Sequence, residues 1–464
     1  MTANTSGSNI CDIRKMQGTV LVHSMDRYDV ERIYSILSDE IFSQIQQGDT
    51  VVLKPNWVME SHKYRPDDWD YVITHPAVIT GVLLKVLERL AGSGRVFIMD
   101  GPTTEASFRK LIGRYPVEKW QQLAGTSGIT IEIVDLREHE WITENDIVVA
   151  RTKLPGDPLG KVQFNLLDDE SEFFGHRKSL RGYQGADYDR SETNRAHDGH
   201  TNLYSVSRTV VEGDVFINLA KLKTHRKSGI TCCLKNLVGI NTYKNYLPHH
   251  SEGGPAEGGD QFPADNVKAR IEGPLVSFLK QHVLKNPVFA RLLSPLNKLG
   301  KNIFGDSRRV VRSGNWYGND TIWRMILDLN KLLLYGNADG TLRAADASSR
   351  KRYIGVVDAI RAGEGHGPLT PEPVDMGYVM CGTDPVAIDA VCAALMGFDP
   401  MKIPCIAHAF AIKNHPLCDY PYEAVCAVID GVEFALHKLP REKIVPFEPQ
   451  FGWKGHIERE PGIE

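Results

Sequence analysis

The eight cysteines of this 464-residue chain include no CxxC pair and no ferredoxin-type run. Structural zinc sites and iron–sulfur clusters need several thiolates at such spacings. The sequence therefore predicts that the protein has no iron–sulfur cluster. We expect its thiols to be reduced and mostly buried.

Long apolar runs are also missing from the chain. No stretch approaches the roughly 20 apolar residues that a membrane-spanning helix needs, and residues 1–20 hold no apolar run of signal-peptide length. The sequence therefore predicts a cytoplasmic protein. Any association with a membrane would have to come from a local surface feature of a folded domain.

Neither sign of charge dominates, because 54 Lys and Arg residues stand against 58 Asp and Glu residues and the net charge is −4. Such a balance creates no global field that would attract a polyanion. We therefore expect no nucleic-acid partner. The phosphate-binding strings GxxxxGK[ST] and GxGxxG are absent in the required strand–helix context, which disfavours the standard nucleotide-binding folds.

The chain does contain an alternation of buried strands and amphipathic helices. A strand at 50–53, a helix at 76–90 and a strand at 95–99 follow one another, as in a right-handed crossover unit of a parallel sheet. The chain is longer than one hydrophobic core usually supports. We predict an α/β protein with two α/β lobes, largely parallel sheets, an active-site cleft between the lobes and a basic helical insertion.

Shifts in composition give the predicted boundaries of these parts. They are an N-terminal α/β lobe (15–150), a long polar loop region (151–209), a core strand with a basic motif (210–242), a basic amphipathic insertion (243–320), a C-terminal α/β lobe (321–440) and a tail (441–464).

The insertion carries a concentrated positive charge. From Lys268 to Arg312 there are ten Lys and Arg residues against two acidic residues, and apolar residues interleave with the cations. This pattern is typical of a basic amphipathic helix. It predicts either docking onto anionic lipid, which would make the protein membrane-associated, or packing on the protein's own core or on a partner copy in a homo-oligomer.

A second basic cluster directly follows an apolar strand predicted at 214–219. Its members fall within fifteen positions: Lys221, Lys223, His225, Arg226, Lys227 and Lys235. Desolvating several cations together is costly, so these side chains must face water or meet an anion. The cluster indicates a pocket for an anionic small molecule, and the alternative is a solvated basic loop.

Two members of this cluster are candidate catalysts. Lys235 is a candidate nucleophilic or cofactor-anchoring amine, provided that burial and neighbouring cations lower its pKa. His225 is a candidate proton carrier near neutral pH. Ser228 is expected to cap a helix that begins beside it. In that helix Cys232 and Cys233 are expected to pack rather than to bind a metal, because adjacent thiolates cannot easily reach one ion.

Candidate substrate-binding residues follow other predicted strands. Lys54 and Asn56 come after the first strand of the crossover unit, and Asp358 ends a strand predicted in the C-terminal lobe. Sites in parallel sheets collect at the carboxyl ends of strands. We assign Asn236, which lies next to Lys235, to the same group.

Further candidates lie in glycine-rich or turn-like contexts. Glycines flank Glu364 and His366, which are candidate general acid–base catalysts, and the alternative is an exposed glycine-rich turn. Asp384 is expected to cap the following helix and is also a candidate substrate-binding residue. His249 and His250 are candidate metal ligands through their imidazole nitrogens, and the alternative is a mobile loop.

Five strings of the chain, taken in order, resemble the successive motifs of the domain-of-unknown-function 362 family: VVLKPNW, INLAKLKTH, CCLKNLVG, YIGVVDAIRAGEGHGP and MCGTDPVAIDAVCAALMG. The resemblance spans about residues 50–400, apart from the basic insertion. It implies that family's α/β architecture. Some members append a ferredoxin-like iron–sulfur module, and this chain lacks the cysteine runs that would bind one.

The chain is more distantly similar to the lactate racemase family that uses a nickel-pincer nucleotide. In that family a catalytic histidine precedes a cofactor-anchoring lysine by ten positions, and a nickel-binding histidine follows. Here His225 and Lys235 differ by ten, and His249 and His250 come next. The resemblance implies a nucleotide cofactor tethered to Lys235, a bound metal, and proton transfer or isomerisation next to a carboxylate.

Together these patterns predict an enzyme, isomerase- or racemase-like or dependent on another cofactor, that binds an anionic small molecule between its lobes. The expected catalytic residues are His225, Lys235, Glu364 and His366. The expected substrate-binding residues are Lys54, Asn56, Lys221, Lys223, Asn236, Asp358 and Asp384, and the expected metal ligands are His249 and His250. The alternative is a peripheral membrane or lipid-linked-intermediate binding protein that docks through residues 268–312.

Overall fold

A computed structural model describes residues 18–144, 147–176, 179–186, 189–263 and 310–460. In chain order its strands are β1 (Thr19–Ser24), β2 (Thr50–Pro55), β3 (Arg95–Asp100), β4 (Thr130–Asp135), β5 (His139–Glu144), β6 (Ile147–Lys153), β7 (Lys161–Asn165), β8 (Tyr183–Gly185), β9 (Leu203–Ser207), β10 (Val215–His225), β11 (Gly229–Thr231), β12 (Pro248–Ser251), β13 (Arg352–His366), β14 (Thr370–Gly382), β15 (Cys426–Ile429) and β16 (Val432–Ala435). Its α-helices are α1 (Val30–Ile36), α2 (Asp39–Phe42), α3 (Pro76–Leu90), α4 (Phe108–Ile112), α5 (Val117–Thr126), α6 (Arg190–Ala196), α7 (Arg208–Glu212), α8 (Cys233–Asn236), α9 (Ile322–Tyr335), α10 (Pro385–Leu395) and α11 (Pro404–Ala409).

Ten strands form the central sheet, in the order β16-β15-β1-β14-β13-β10-β2-β3-β4, with β11 paired to β10. Strands β13, β10, β2, β3 and β4 are mutually parallel. At one level of the sheet Ile217 of β10 lies between Leu53 of β2 and Ile354 of β13. Because parallel strands end at the same edge, the polar residues at the ends of β2, β3, β10 and β13 gather in one place.

The central strand β10 is buried along its whole length. Its apolar side chains alternate between two cores, with Phe216 and Leu222 in one and Ile217 and Leu219 in the other. Successive residues of a strand point to opposite faces of a sheet, and a strand covered on both faces is apolar throughout. This packing fixes the backbone that carries the basic motif.

Two helices begin where their sequences predict. Pro76 occupies the first turn of α3, where its missing N–H leaves no intrahelical bond unmade. His75 caps that helix by accepting the Ala77 N–H, and Ala91 ends it in the left-handed region at φ 47°. Asp384 caps α10 by accepting backbone N–H groups of its first turn.

The prediction of a helix beginning beside Ser228 is wrong. Strand β10 continues through the basic motif to His225, and β11 then returns antiparallel to it. Gly229 takes φ +80°, a conformation that costs glycine little and suits a tight return. A helix begins only at Cys233, whose N–H is accepted by the Asp389 carboxylate.

Strands β13 and β14 form a hairpin that is longer than the sequence predicts. The glycine-flanked residues Glu364 and His366, predicted to lie in a flexible loop, belong to the end of β13. Glu364 is registered opposite Glu372, and His366 opposite Thr370. Antiparallel pairing therefore holds the backbone that carries both candidate residues.

The predicted α/β class with a large, mostly parallel sheet is confirmed. Strands from the predicted N-terminal and C-terminal lobes belong to this same sheet, and the domain boundaries stay predictions. The polar region 151–209 contains β7, β8, β9 and α6. Most of the basic stretch predicted for docking lies outside the described residues. Among the helices of the described ranges, none is long and apolar enough to cross a membrane.

Candidate functional site

A cavity of about 370 Å³ opens where β2, β3, β10 and β13 end. Six Lys or Arg side chains, two carboxylates and three histidines line it: Lys54, Lys63, Arg226, Lys227, Lys235, Lys244, Asp100, Glu105, His225, His249 and His366. The cations of the wall outnumber its carboxylates by four. The cavity is therefore a basic site at the carboxyl edge of the sheet.

One wall of the cavity is a buried ion pair extended by two asparagines. Lys54 Nζ lies 2.7 Å from Asp100 Oδ1 and donates to Asn236 Oδ1 at 3.1 Å. Asn56 Nδ2 donates to the same Asn236 oxygen at 2.7 Å. Burial lowers the pKa of Lys54, and the charge of Asp100 opposes that shift. Three of the predicted site residues, Lys54, Asn56 and Asn236, are thus brought together here.

Lys223 lies behind this network and not among the residues that line the cavity. Its Nζ donates to Asn56 Oδ1 at 2.8 Å and to the Val72 carbonyl oxygen, and its side chain is fully buried. Burial, together with repulsion from Lys235 and Lys221, holds the pKa of Lys223 well below its ordinary value. Its contact with Asn56 orients that amide.

Two cations face the cavity without forming an ion pair. Neither the Lys235 amine nor the Arg226 guanidinium forms a salt bridge or a side-chain hydrogen bond with any residue that the structure describes, and both line the cavity. Burial lowers the pKa of Lys235 to about 8, and repulsion from Lys54 acts in the same direction. Burial also lowers the pKa of Arg226. These two positively charged groups are therefore available to bind an anionic group in the cavity.

Sequence reasoning missed two other cations of the wall. Lys244 Nζ donates to the Gly101 carbonyl oxygen at 2.8 Å, and burial lowers its pKa to about 7. Lys63 Nζ lies 3.5 Å from Glu105 Oε2. Lys63 lies in an irregular segment and Lys244 in a single turn of 3-10 helix, where no periodicity or strand end marks them. Only the folded chain brings them to the cavity.

The turn after β10 fixes the imidazole of His225. Its Nδ1 accepts the backbone N–H groups of Lys227 and Ser228, each at 3.1 Å, and lies 2.9 Å from the Ser228 hydroxyl. A ring nitrogen that accepts N–H groups carries no proton, so the neutral ring is protonated at Nε2. Burial, followed by repulsion from Lys235, holds the pKa of His225 well below its ordinary value. The ring is therefore a neutral N–H donor.

His249 is hydrogen-bonded in the opposite sense. Its Nδ1 lies 2.9 Å from the Leu247 carbonyl oxygen. A carbonyl can only accept, so Nδ1 carries the proton and Nε2 has a lone pair. Burial, followed by repulsion from Lys227, holds the pKa of His249 well below its ordinary value. His249 lines the cavity as a neutral acceptor.

His249 and His250 lie on β12, but their side chains have different surroundings. His249 lines the cavity, whereas His250 Nδ1 lies 3.1 Å from Lys227 Nζ. In the described part of the chain, the group of His, Cys, Asp or Glu side chains close enough to hold one ion is instead Cys232, Cys233 and Asp389. The predicted metal role of the two histidines stays a prediction.

The structure separates the predicted acid–base residues Glu364 and His366. His366 lines the cavity, with its ring centroid 6.2 Å from that of Phe451. Glu364 does not line it, and its carboxylate accepts the Glu448 N–H at 2.6 Å. His366 therefore joins His225 and His249 at the site, while Glu364 ties β13 to the C-terminal segment.

Three predicted substrate-binding residues lie away from the cavity. Lys221 Nζ is 2.9 Å from Asp358 Oδ2, and both side chains are fully buried. Asp358 also accepts from the Tyr28 hydroxyl at 3.0 Å and from the His75 N–H at 2.8 Å. Asp384 accepts N–H groups of α10. The protein itself supplies the partners of these three groups.

Comparisons with known proteins place the chain in a family. No curated protein matches it. Among solved structures it is similar to a structural-genomics target from Thermotoga maritima, at 12% identity over 75% of this chain and 54% of that one with a TM-score of 0.32. It is also similar to the lactate racemase apoprotein from Thermoanaerobacterium thermosaccharolyticum, at 12% identity over 81% of this chain and 57% of that one with a TM-score of 0.31.

The chain thus spans little more than half of the length of each of these two structures. The family model described as "Domain of unknown function (DUF362)" matches residues 51–159 and 176–394. These ranges include the ends of β2, β3, β10 and β13 and so the whole basic cavity wall. Because the match covers most of the chain, the protein belongs to the DUF362 family.

Proposed function

We propose that the cavity is the active site of an enzyme that binds a small anionic molecule and moves a proton at a position next to its carboxylate. The observation that carries the proposal is the opposite hydrogen bonding of His225 and His249 on a wall where Lys235 and Arg226 form no ion pair within the described chain. The wall offers a neutral donor, a neutral acceptor and positive charge together.

The two unpartnered cations support an anionic ligand. A buried charge is costly unless it is paired and hydrogen-bonded. Lys54 has Asp100 for this purpose, whereas the half-buried Lys235 and Arg226 form no ion pair within the described chain. Asp100 and Glu105 act on them only from a longer range. A carboxylate or phosphate would supply the missing counter-charge, and the planar guanidinium of Arg226 suits bidentate binding of either group.

The two imidazoles support proton transfer. His225 Nε2–H can donate a hydrogen bond to an oxygen on which negative charge develops. The imidazole keeps its proton while it does so. His249 Nε2 can accept a proton. Repulsion from Lys227, Lys235 and Arg226 contributes to the low pKa of His249. A bound anion would offset that repulsion and make His249 a stronger base when ligand is present.

Binding of small anions tests the first half of the proposal. The thermal midpoint Tm of the protein should rise with oxalate, malonate, pyruvate or phosphate and should not rise with matched chloride. The variant Arg226→Gln should lose most of the rise. Arg208→Gln is the control, because Arg208 is a partly exposed residue whose guanidinium pairs with Glu212, and neither residue lines the cavity. An equal rise in both variants would contradict the proposal.

Isotope exchange tests the second half. In D2O the protein should exchange the C–H protons that lie next to the carboxylates of bound malonate, and NMR would follow the loss of their signal. His249→Gln, which removes the acceptor, should abolish the exchange while the Tm rise with oxalate persists. Exchange that survives in this variant would assign the base to another residue and contradict the role of His249.

A further inference from the structure

The amine of Lys235 is held in place by an anchored backbone. Its neighbour Asn236 donates to Asn218 Oδ1 at 2.7 Å and accepts from Lys54 and Asn56. At the start of the same short helix, the Asp389 carboxylate accepts a backbone N–H at 2.7 Å. The lysine stem therefore leaves a rigid base and its amine faces the cavity.

This amine differs from the other lysines around the cavity. Lys54 is paired with Asp100, Lys244 donates to the Gly101 carbonyl, and Lys223 is fully buried behind Asn56. Lys235 has no hydrogen bond or ion pair within the described residues. An amine that no other side chain binds can approach a carbonyl carbon in the cavity, and this access lets it act as a nucleophile.

Both histidines line the same cavity as this amine. The hydrogen bonds at Nδ1 leave Nε2–H of His225 as a donor and Nε2 of His249 as an acceptor. A nucleophilic amine, a neutral N–H donor and a neutral acceptor are the groups that carbonyl chemistry through a Schiff base requires.

We propose that Lys235 Nζ forms an imine with a small 2-oxo acid, whose carboxylate is held by Arg226. The proposal rests on the proposed function, because it uses the same anion site and the same two histidines. It adds the class of substrate and a covalent intermediate. The cavity volume of about 370 Å³ fits a molecule of this size.

The steps balance without an oxidant or a reductant. The neutral amine attacks the carbonyl carbon, and the C=O π pair moves to the oxygen, which accepts a hydrogen bond from His225 Nε2–H. A proton passes from the nitrogen to that oxygen to give the carbinolamine. The C–O bond then breaks with uptake of one proton, water leaves, and C=N forms as a protonated imine. The imine acidifies the adjacent C–H, and His249 Nε2 takes that proton to leave an enamine.

Trapping by reduction tests the imine directly. The full-length protein is incubated with pyruvate and sodium cyanoborohydride, and intact mass and peptide mapping locate any reduced adduct. We expect a single adduct per chain on Lys235, several-fold less of it when oxalate competes, and no adduct on the chain of the variant Lys235→Arg. Lys161→Arg is the matched control, because that amine is partly exposed and paired with Glu138.

The outcomes separate this inference from the proposed function. Binding of oxalate with no pyruvate adduct would overturn the imine and leave the anion site standing. Absence of both would overturn the two together. An adduct on Lys244, or one spread over exposed lysines, would overturn the assignment to Lys235, as would a mass excess already present on Lys235 before treatment. The peptide map of the wild-type protein identifies the modified lysine even if the variant Lys235→Arg fails to fold.

Discussion

His225 and His249 line one cavity with their imidazoles hydrogen-bonded in opposite senses. Nδ1 of His225 accepts two backbone N–H groups, whereas Nδ1 of His249 donates to the Leu247 carbonyl oxygen. Backbone groups, which cannot exchange the roles of donor and acceptor, therefore set both tautomers. This relationship gives the site a direction for proton movement that two exposed histidines would lack.

The tautomers can be measured by NMR of protein with 15N-labelled histidine. At pH 7 we expect His225 to be protonated at Nε2 and His249 at Nδ1. Because burial and nearby cations depress both pKa values well below the ordinary one, both rings should stay neutral at a pH where an exposed imidazole is already protonated. The single variants His225→Gln and His249→Gln assign the signals. A cationic ring at pH 7 for either residue would contradict the model of a donor and an acceptor.

Substitution at Gly239 should damage the cavity wall. A Cβ atom there would lie 1.8 Å from Asp100 Oδ1 and 2.9 Å from Lys54 Nζ, so Gly239→Ala must displace the ion pair. We expect this variant to lose the Tm rise with oxalate. Gly125→Ala is the control, since nothing lies within 4 Å of a Cβ built on that helical glycine, and it should keep the rise. Equal responses of the two variants would argue against a structured anion site.

Breaking the buried ion pair of Lys54 and Asp100 should strongly destabilise the folded protein. Asp100→Asn leaves the fully buried ammonium of Lys54 without its carboxylate, and we expect a loss of about 3–5 kcal/mol in the free energy of unfolding. The exposed pair of Arg32 and Asp26 is the control, because Asp26→Asn should cost at most about 1 kcal/mol. Denaturant unfolding of the wild type, Asp100→Asn and Asp26→Asn measures both losses. Similar losses in the two variants would contradict a special cost for the buried pair.

The stability of the protein should depend on pH through Lys235. Its pKa is about 8 in the folded state and about 10.4 in an unfolded chain. Below pH 8 both states carry the proton, and the folded state bears the full cost of the buried charge. Between pH 8 and 10.4 the folded state loses its proton first, so this cost is relieved and stability rises.

Lys235→Met removes that cost at every pH. We therefore expect the variant to be more stable than the wild type at pH 7, by about 1–3 kcal/mol. Its advantage should shrink as the pH approaches 10. Thermal unfolding of both proteins from pH 7 to 10 gives the comparison, with Lys161→Met as a control that should show no such trend. A constant difference across this range would mean that Lys235 does not titrate there.

The strands and helices around the site follow from local sequence patterns. The apolar run of β10 and the amphipathic period of α3 each identify an element from its own residues. The hairpin of β10 and β11 does not, because Ser228 and Gly229 suit a helix cap as well as a tight turn. Pairing with β10 decides between these two structures, and that pairing is a tertiary contact.

The sequence by itself determined that a dense group of cations follows a buried strand, and that this group needs an anion or water. Tertiary structure alone decided which cations keep an unsatisfied charge. Lys54 forms an ion pair with Asp100 and Lys221 with Asp358, whereas Lys235 forms no ion pair within the described chain. The physical reason is that the cost of burying a charge depends on partners from distant parts of the chain, and spacing along one segment carries no information about them.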